Sequence, residues 1–304
     1  MSNNEIQGGL HKSVINWYPG HMAKTKKQII EDLKLIDLVV EVLDARIPIS
    51  SQNPDIRKII QNKKRLVILN KSDLSNQTEN TKWIQHFQKQ QIPAVLVDSV
   101  TGKGIPEVIH TIESIYDSTN YDSKGRIGKS IRVMILGIPN VGKSSLINRL
   151  VKKNIAQVGN KPGVTRQKQW TKIGNKIELL DTPGVLWPKL NEKNAMYLAY
   201  TGTIKDDILE ITEIGYQFLK LLVKDYKANL MQRYQLQEDE IGDILQNQDA
   251  TENEKILEVM ELIGKKRGAL ISGGEINYER VATIILDDFR SGKLGKITLE
   301  KIKE

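Results

Sequence analysis

The run Ile131–Ser145 constrains this chain more than any other stretch. Ile131-Arg-Val-Met-Ile-Leu136 has the length and apolar content of a buried strand. It breaks into Gly137-Ile-Pro-Asn-Val-Gly142-Lys143-Ser144, after which Ser145-Leu-Ile-Asn-Arg-Leu150 continues with helical spacing. A strand, a Gly-x-x-x-x-Gly-Lys-Ser loop and a helix together make a phosphate-binding P-loop. Its two glycines let the backbone curl, so that N–H groups from Asn140, Val141, Gly142, Lys143, Ser144 and Ser145 turn toward one anion. The positive end of the following helix faces the same place. Lys143 supplies a charge for the β- and γ-phosphate oxygens, and the Ser144 hydroxyl suits Mg²⁺.

The other bulk properties set limits. With 304 residues the chain can form one large domain or two ordinary ones. Its formal net charge of +8 favours a polyanionic partner without dictating a fold. It has no cysteine, which excludes disulfides, thiolate zinc sites and cysteine catalysis. No apolar run approaches the length of a membrane span, and Met1-Ser-Asn-Asn-Glu5 lacks a secretory pattern. The expectation is a cytoplasmic protein with no membrane partner.

Strand and helix signals alternate through the first two thirds. Strands are expected at Ile36–Leu43, Arg65–Leu69, Ala94–Val97, Ile131–Leu136 and Lys176–Leu180, separated by helical stretches. This pattern predicts an α/β fold with a parallel sheet. Asn120–Lys129 reads as a polar linker. Beyond Pro188 no further buried strand is expected, and Leu209–Tyr226, Glu254–Lys266 and Tyr278–Arg290 carry helical periodicity. A domain boundary is placed near Thr203, dividing the chain into residues 1–203 and an all-helical domain, 204–304.

Asn70-Lys71-Ser-Asp73, at the end of a strand, points to guanine. An aspartate carboxylate accepts hydrogen bonds from N1–H and the 2-amino group, which adenine does not offer together. Asn70 can address the O6 side and tie this loop to the P-loop, while the Lys71 stem covers a base face. The loop Ser99-Val100-Thr101-Gly102 suits a third contact, with a backbone N–H near O6. Asp181-Thr-Pro-Gly184 places a carboxylate for the Mg²⁺ shell and the Gly184 N–H for the γ-phosphate. Thr165 is the candidate for a mobile loop closing on both. An ATP-using enzyme would leave Asn70 and Asp73 without a function.

The order of these motifs is unusual, because base recognition precedes the P-loop. A parallel sheet with both ends at the surface can be reconnected in this way without losing its core. Trp17-Tyr-Pro-Gly-His-Met22, Asp44-Ala-Arg-Ile-Pro48, the P-loop, Asp181-Thr-Pro-Gly-Val185, Ser272-Gly-Gly-Glu275 and Asp288-Phe-Arg-Ser-Gly-Lys293 resemble the ribosome biogenesis GTPase A family of circularly permuted GTPases. The resemblance covers almost the whole chain. It implies GTP hydrolysis to GDP, late assembly of the bacterial large ribosomal subunit, and an RNA-binding helical domain. Stimulation by that subunit and a monomer away from it are the corresponding expectations.

Ras-like proteins orient the attacking water with a glutamine where this chain has Val185, so slow intrinsic turnover is expected. The resemblance points to His21 as a substitute, joining Lys143 and Thr165 in the catalytic set; a structural or RNA-contacting His21 is the alternative. Asn140 stands where related GTPases hold K⁺, or else it stabilises the turn after Pro139. Lys24, Lys26 and Lys27 are a solvated helix face or a phosphate contact. The cations Lys265, Lys266, Arg267, Arg280, Arg290, Lys293 and Lys296 favour contacts to an RNA backbone.

Overall fold

Leu38-Val-Val-Glu-Val-Leu-Asp44 is buried along its whole length and forms the central strand β1. Such continuous burial is characteristic of a parallel strand covered on both faces. The computed structural model describes residues 27–60, 63–120, 130–152, 170–180, 192–204, 206 and 209–302. In chain order β1 is followed by α1 (Pro54–Ile59), β2 (Lys64–Asn70), α2 (Gln77–Lys89), β3 (Ala94–Leu96) and α3 (Ile105–Asn120). Then come β4 (Ile131–Leu136), α4 (Lys143–Lys152), β5 (Trp170–Ile173) and β6 (Ile177–Leu180).

The six strands lie in the order β3-β2-β1-β4-β6-β5. All neighbours pair in parallel except β5, which is antiparallel to β6. The carboxyl ends of β1, β2, β3, β4 and β6 therefore share one edge. In an open α/β sheet that edge is where ligands bind. The β1–β2 register sets Asp44 directly beside Asn70, bringing two polar strand ends together.

Strand β5 was not expected from sequence. It is four residues long and only partly buried, and the three-residue turn at Gly174 folds it against β6. An edge strand of this length carries too weak a period-2 signal to register. The Arg132 guanidinium lies 5.3 Å from the Trp170 ring centre, covering that edge. Inside the sheet Glu41 forms an ion pair with Arg65. Burial raises the Glu41 pKa, and Arg65 opposes that shift.

The second unit is helical: α5 (Glu192–Tyr200), α6 (Ile211–Asp225), α7 (Lys227–Tyr234), α8 (Glu238–Gln246), α9 (Glu252–Arg267) and α10 (Tyr278–Arg290). Rings of Tyr200, Phe218 and Phe289 stack in sequence, with centroids 4.6 and 4.8 Å apart. Gly215 of α6 leaves no room for a side chain against Ala282 of α10, where a Cβ would sit 2.3 Å from the alanine methyl. Thr251 and Glu254 form a capping box at the start of α9, and Gly268 ends that helix in the left-handed region.

The division of the chain differs from the expected one in two respects. Residues 192–297 form the helical unit, so α5 belongs to it rather than to the sheet unit. The reason is the Tyr200–Phe218 contact and the Arg290 guanidinium, which donates to the carbonyls of Ala199 and Tyr200. Residues 298–302 return to the sheet unit.

Candidate functional site

The P-loop follows β4 as expected, and its curvature is visible in the backbone. Asn140 and Gly142 have φ of 59° and 92°, in the left-handed region. Helix α4 begins at Lys143, so its first-turn N–H groups face the loop. Val141 is buried, whereas Ser144 and Ser145 are exposed on the first turn. The Lys143 Nζ donates to the Ile138 carbonyl at 2.8 Å, closing the loop on itself.

Asn70 joins the loops after β2 and β3 to the P-loop. Its side chain is buried at the end of β2, and Nδ2 donates to the Val141 carbonyl at 2.7 Å. Its Oδ1 accepts from the Ser99 hydroxyl at 2.7 Å and from the Ser99 N–H at 3.3 Å. One amide thus fastens three loops, after β2, β3 and β4. Gly142 packs against the same amide so closely that a Cβ there would lie 2.2 Å from Nδ2.

The loop at 99–102 is shaped from within. The Asp98 carboxylate accepts from the N–H groups of Val100 and Thr101 and from the Thr101 hydroxyl. Burial raises the Asp98 pKa, but those hydrogen bonds and Arg149 outweigh it, and the net shift is downward. The Gly102 N–H donates to the Asp98 carbonyl at 2.8 Å. The N–H groups assigned from sequence to guanine O6 are therefore engaged inside the loop, with only Val100 presenting an exposed apolar side chain. Arg149 of α4 reaches back to the Ser99 carbonyl at 3.1 Å and also to that of Val100. Sequence reading assigned no task to Asp98 or Arg149. The Asp98-x-x-Thr101 spacing, which suits a side-chain-capped turn, was the available signal.

Lys71 sits in the left-handed region at φ 59°, and its Nζ lies 3.1 Å from Asp44 Oδ2. Asp44 is wholly buried and receives Arg46 Nε at 3.0 Å, Arg46 Nη2 at 2.7 Å and the Arg46 N–H at 3.0 Å. Desolvation would raise its pKa, but Arg46 and then Lys71 overcome this and hold the carboxyl well below the usual carboxylate range. The Lys71 stem is thereby fixed from its tip. Asp73 is exposed on the turn between β2 and α2.

The low Asp44 pKa has a pH consequence. A carboxylate whose folded-state pKa is depressed stabilises the fold fully above its unfolded value, about 3.9, and loses that contribution as pH falls through the folded value. Asp44→Asn is expected to cost about 3 kcal/mol at pH 7, the scale for breaking a buried ion pair. In urea titrations the gap from wild type should narrow as pH drops below about 4. A gap constant with pH would remove the ionic contribution.

His21, Thr165, Asp181 and Gly184 lie outside the described residues, as does Val185. Among the basic residues of the helical unit, Arg290 is committed internally: it pairs with Asp206 at 2.7 Å and with the two α5 carbonyls. Lys266 pairs with Glu240 at 2.9 Å, while Lys265, Arg267, Arg280, Lys293 and Lys296 are exposed.

Residues 132–261 match the family described as "50S ribosome-binding GTPase". The chain is 44% identical over 291 residues to ribosome biogenesis GTPase A of Bacillus licheniformis, covering 95% of this chain and 98% of that one. The chain belongs to the ribosome biogenesis GTPase A family. The Bacillus pumilus protein of that name is also 44% identical, over 94% of this chain and 98% of its own length. A crystal structure described as GNP-bound YlqF from T. maritima superposes with a TM-score of 0.60 at 25% identity, over 91% of this chain and 98% of that one. As a member of that family, the chain is a circularly permuted GTPase. Its permutation is legible in the sheet, where the loops after β2 and β3 meet a P-loop that follows them in sequence.

Proposed function

We propose that this GTPase acts in late maturation of the bacterial large ribosomal subunit, binds its RNA, and is released when GTP is hydrolysed to GDP. The observation that carries the nucleotide part is the Asn70 amide, which holds the base-reading loops against the P-loop carbonyl of Val141. Family membership supports the ribosomal part, since the relatives named above are called ribosome biogenesis GTPases. In this reading Asn70, Lys71 and Asp73 hold the guanine, and the Ser99–Thr101 loop, its N–H groups turned inward, lines the base rather than donating to it. The residues Asn140 to Ser145 and Gly184 hold the phosphates.

The P-loop fits Mg²⁺: Ser144 is exposed on the first turn of α4, beside backbone donors aimed at an anion. Ser144, Thr165 and Asp181 would hold the ion, which neutralises phosphate charge when bound. Asn140, exposed at a left-handed turn, would hold K⁺ at the same phosphates. The exposed cations Lys265, Arg267, Arg280, Lys293 and Lys296 would meet the RNA backbone. The protein would work as a cytoplasmic monomer away from the ribosome.

GTP turnover with and without purified large subunits tests the proposal. A stimulation of about tenfold or more is expected. Tight subunit binding without stimulation would favour a second reading, prompted by Val185 where a water-orienting glutamine is usual: an RNA-binding scaffold with GTP as a structural ligand.

Base reading has its own test. Asp73→Asn should weaken GTP and improve xanthosine triphosphate, whose 2-oxo group accepts from the new amide. Competition binding with GTP, ATP and xanthosine triphosphate measures it. An unchanged preference would take Asp73 out of the base-reading role.

A further inference from the structure

After the helical unit the chain returns to the sheet unit as a short strap, Thr298–Ile302. The strap grips the surroundings of the base-reading loop from both sides. On one side the buried Glu300 carboxylate accepts from the Ile49 N–H at 2.5 Å, from the Ser50 N–H at 3.0 Å and from the Ser50 hydroxyl. The Leu299 N–H donates to the Arg46 carbonyl at 2.9 Å. These contacts fix the turn that follows Asp44. Within that turn the Ser51 hydroxyl accepts from the Asp44 N–H at 3.1 Å, and Arg46 holds the Asp44 carboxylate, which in turn holds Lys71.

On the other side the Thr298 hydroxyl accepts from the Asn76 N–H at 3.0 Å. Asn76 is the N-cap of α2, its side chain accepting from the N–H groups of Thr78 and Glu79. The strap then follows α2: Trp83 Nε1 donates to the Glu300 carbonyl at 2.8 Å, and the Ile302 N–H donates to Glu79 Oε2 at 3.3 Å. Ile302 packs on the cluster of Leu43, Ala45, Val67, Leu69, Trp83 and Phe87. Segment Lys71–Ser75, which contains Asp73, is thus suspended between two points, Asp44 and Asn76, each of them tied to the strap.

Burying a carboxylate is costly unless its oxygens are fully hydrogen-bonded. The placement of Glu300 on the turn next to Asp44 is what a packing role does not need. Holding a binding loop in its bound conformation raises affinity by reducing the ordering cost of the ligand-bound state.

We propose that the strap Thr298–Ile302, anchored by Glu300, is a positioning element for the guanine-reading loop. Glu300 acts through the Asp44–Lys71 pair and through the start of α2. The inference rests on the assignment of Lys71 and Asp73 to the base.

The test uses the full chain carrying Glu300→Ala or, as a milder change, Thr298→Val, with release of fluorescent GDP followed by stopped flow. Equilibrium affinities for GDP, IDP and ADP are measured alongside, and melting curves are recorded for each variant. Glu300→Ala should release GDP about tenfold faster, with a several-fold smaller effect for Thr298→Val; Thr298→Ser, which keeps the hydroxyl, should behave as wild type. The preference for GDP over IDP, which lacks the 2-amino group read by Asp73, should narrow. General loss of folded protein would weaken both ligands equally and leave that ratio intact, so an unchanged ratio overturns the proposal. Wild-type release rates in a folded Glu300→Ala protein also overturn it. If the wild-type chain itself fails to prefer GDP over ADP, the base-reading assignment fails instead, independently of the strap.

Discussion

Gly142→Ala is expected to lower GDP affinity by 10²- to 10³-fold while leaving the protein folded. Two costs combine at this position. The φ of 92° is one that L-residues rarely adopt, and such strain is worth about 1–3 kcal/mol. The new methyl would also lie 2.2 Å from Asn70 Nδ2. Asn70 cannot swing aside cheaply, because its amide is buried and hydrogen-bonded to Val141 on one side and Ser99 on the other. Displacing it breaks buried hydrogen bonds at about 1–3 kcal/mol each. With about 2 kcal/mol of strain and about 1–2 kcal/mol for one displaced hydrogen bond the cost is about 3–4 kcal/mol, and each 1.4 kcal/mol is about tenfold in affinity.

The damage would be shared by base and phosphates, since the same amide orders both loops. Calorimetric titration with GDP, together with a melting curve, measures it. Gly268→Ala is the control: its φ is 62°, but a Cβ there meets nothing within 4 Å, so it carries backbone strain alone and lies in the helical unit. Its GDP affinity should equal that of wild type. A Gly142→Ala protein binding GDP within threefold of wild type would show that Asn70 does not couple the loops.

His21→Ala is expected to reduce ribosome-stimulated turnover by about 10²-fold, the usual scale for a positioned polar catalytic group. The case is mechanistic. Val185 has no side-chain group to orient water, and the chain has only four histidines. His86 and His110 fall on α2 and α3, in the base-reading half. His86 is engaged there, with its ring 5.1 Å from that of Trp83 and its Nε2 2.7 Å from Gln90. His11 stands in the polar N-terminal stretch, whereas His21 follows a Pro-Gly pair, and imidazole chemistry suits orienting a water near neutral pH. Affinity for GTP should barely change. Single-turnover rates on saturating subunits decide the matter: a mutant that docks and stalls makes His21 catalytic, and one that docks poorly but hydrolyses normally makes it an RNA or folding residue.

The P-loop and the Asn70-Lys71-Ser-Asp73 segment were legible because each combines a strand end with a fixed local spacing, and spacing is what a sequence records directly. The same holds for the buried strands β1, β2 and β4, whose apolar runs need no partner to be recognised. Strand β5 was not, since four residues at a sheet edge, only Ile173 of them buried, have too little pattern to stand out. Helices α7 and α8 are eight and nine residues long and fell below the same threshold.

What the amino-acid order determined alone was the set of chemical groups: a P-loop, a carboxylate at Asp73 proposed to read guanine, and a permuted arrangement of the two. What only the tertiary structure decided was which groups hold those in place. Asp44 and Lys71 are 27 positions apart and Asn70 and Val141 are 71 apart. Nothing local announces either pair; they meet because parallel register aligns the carboxyl ends of β1, β2 and β4 on one edge. Glu300 is the extreme case, 250 residues from the Ser50 it binds. In the sequence it is one acidic residue in a charged tail, and only burial against backbone N–H groups makes it an anchor.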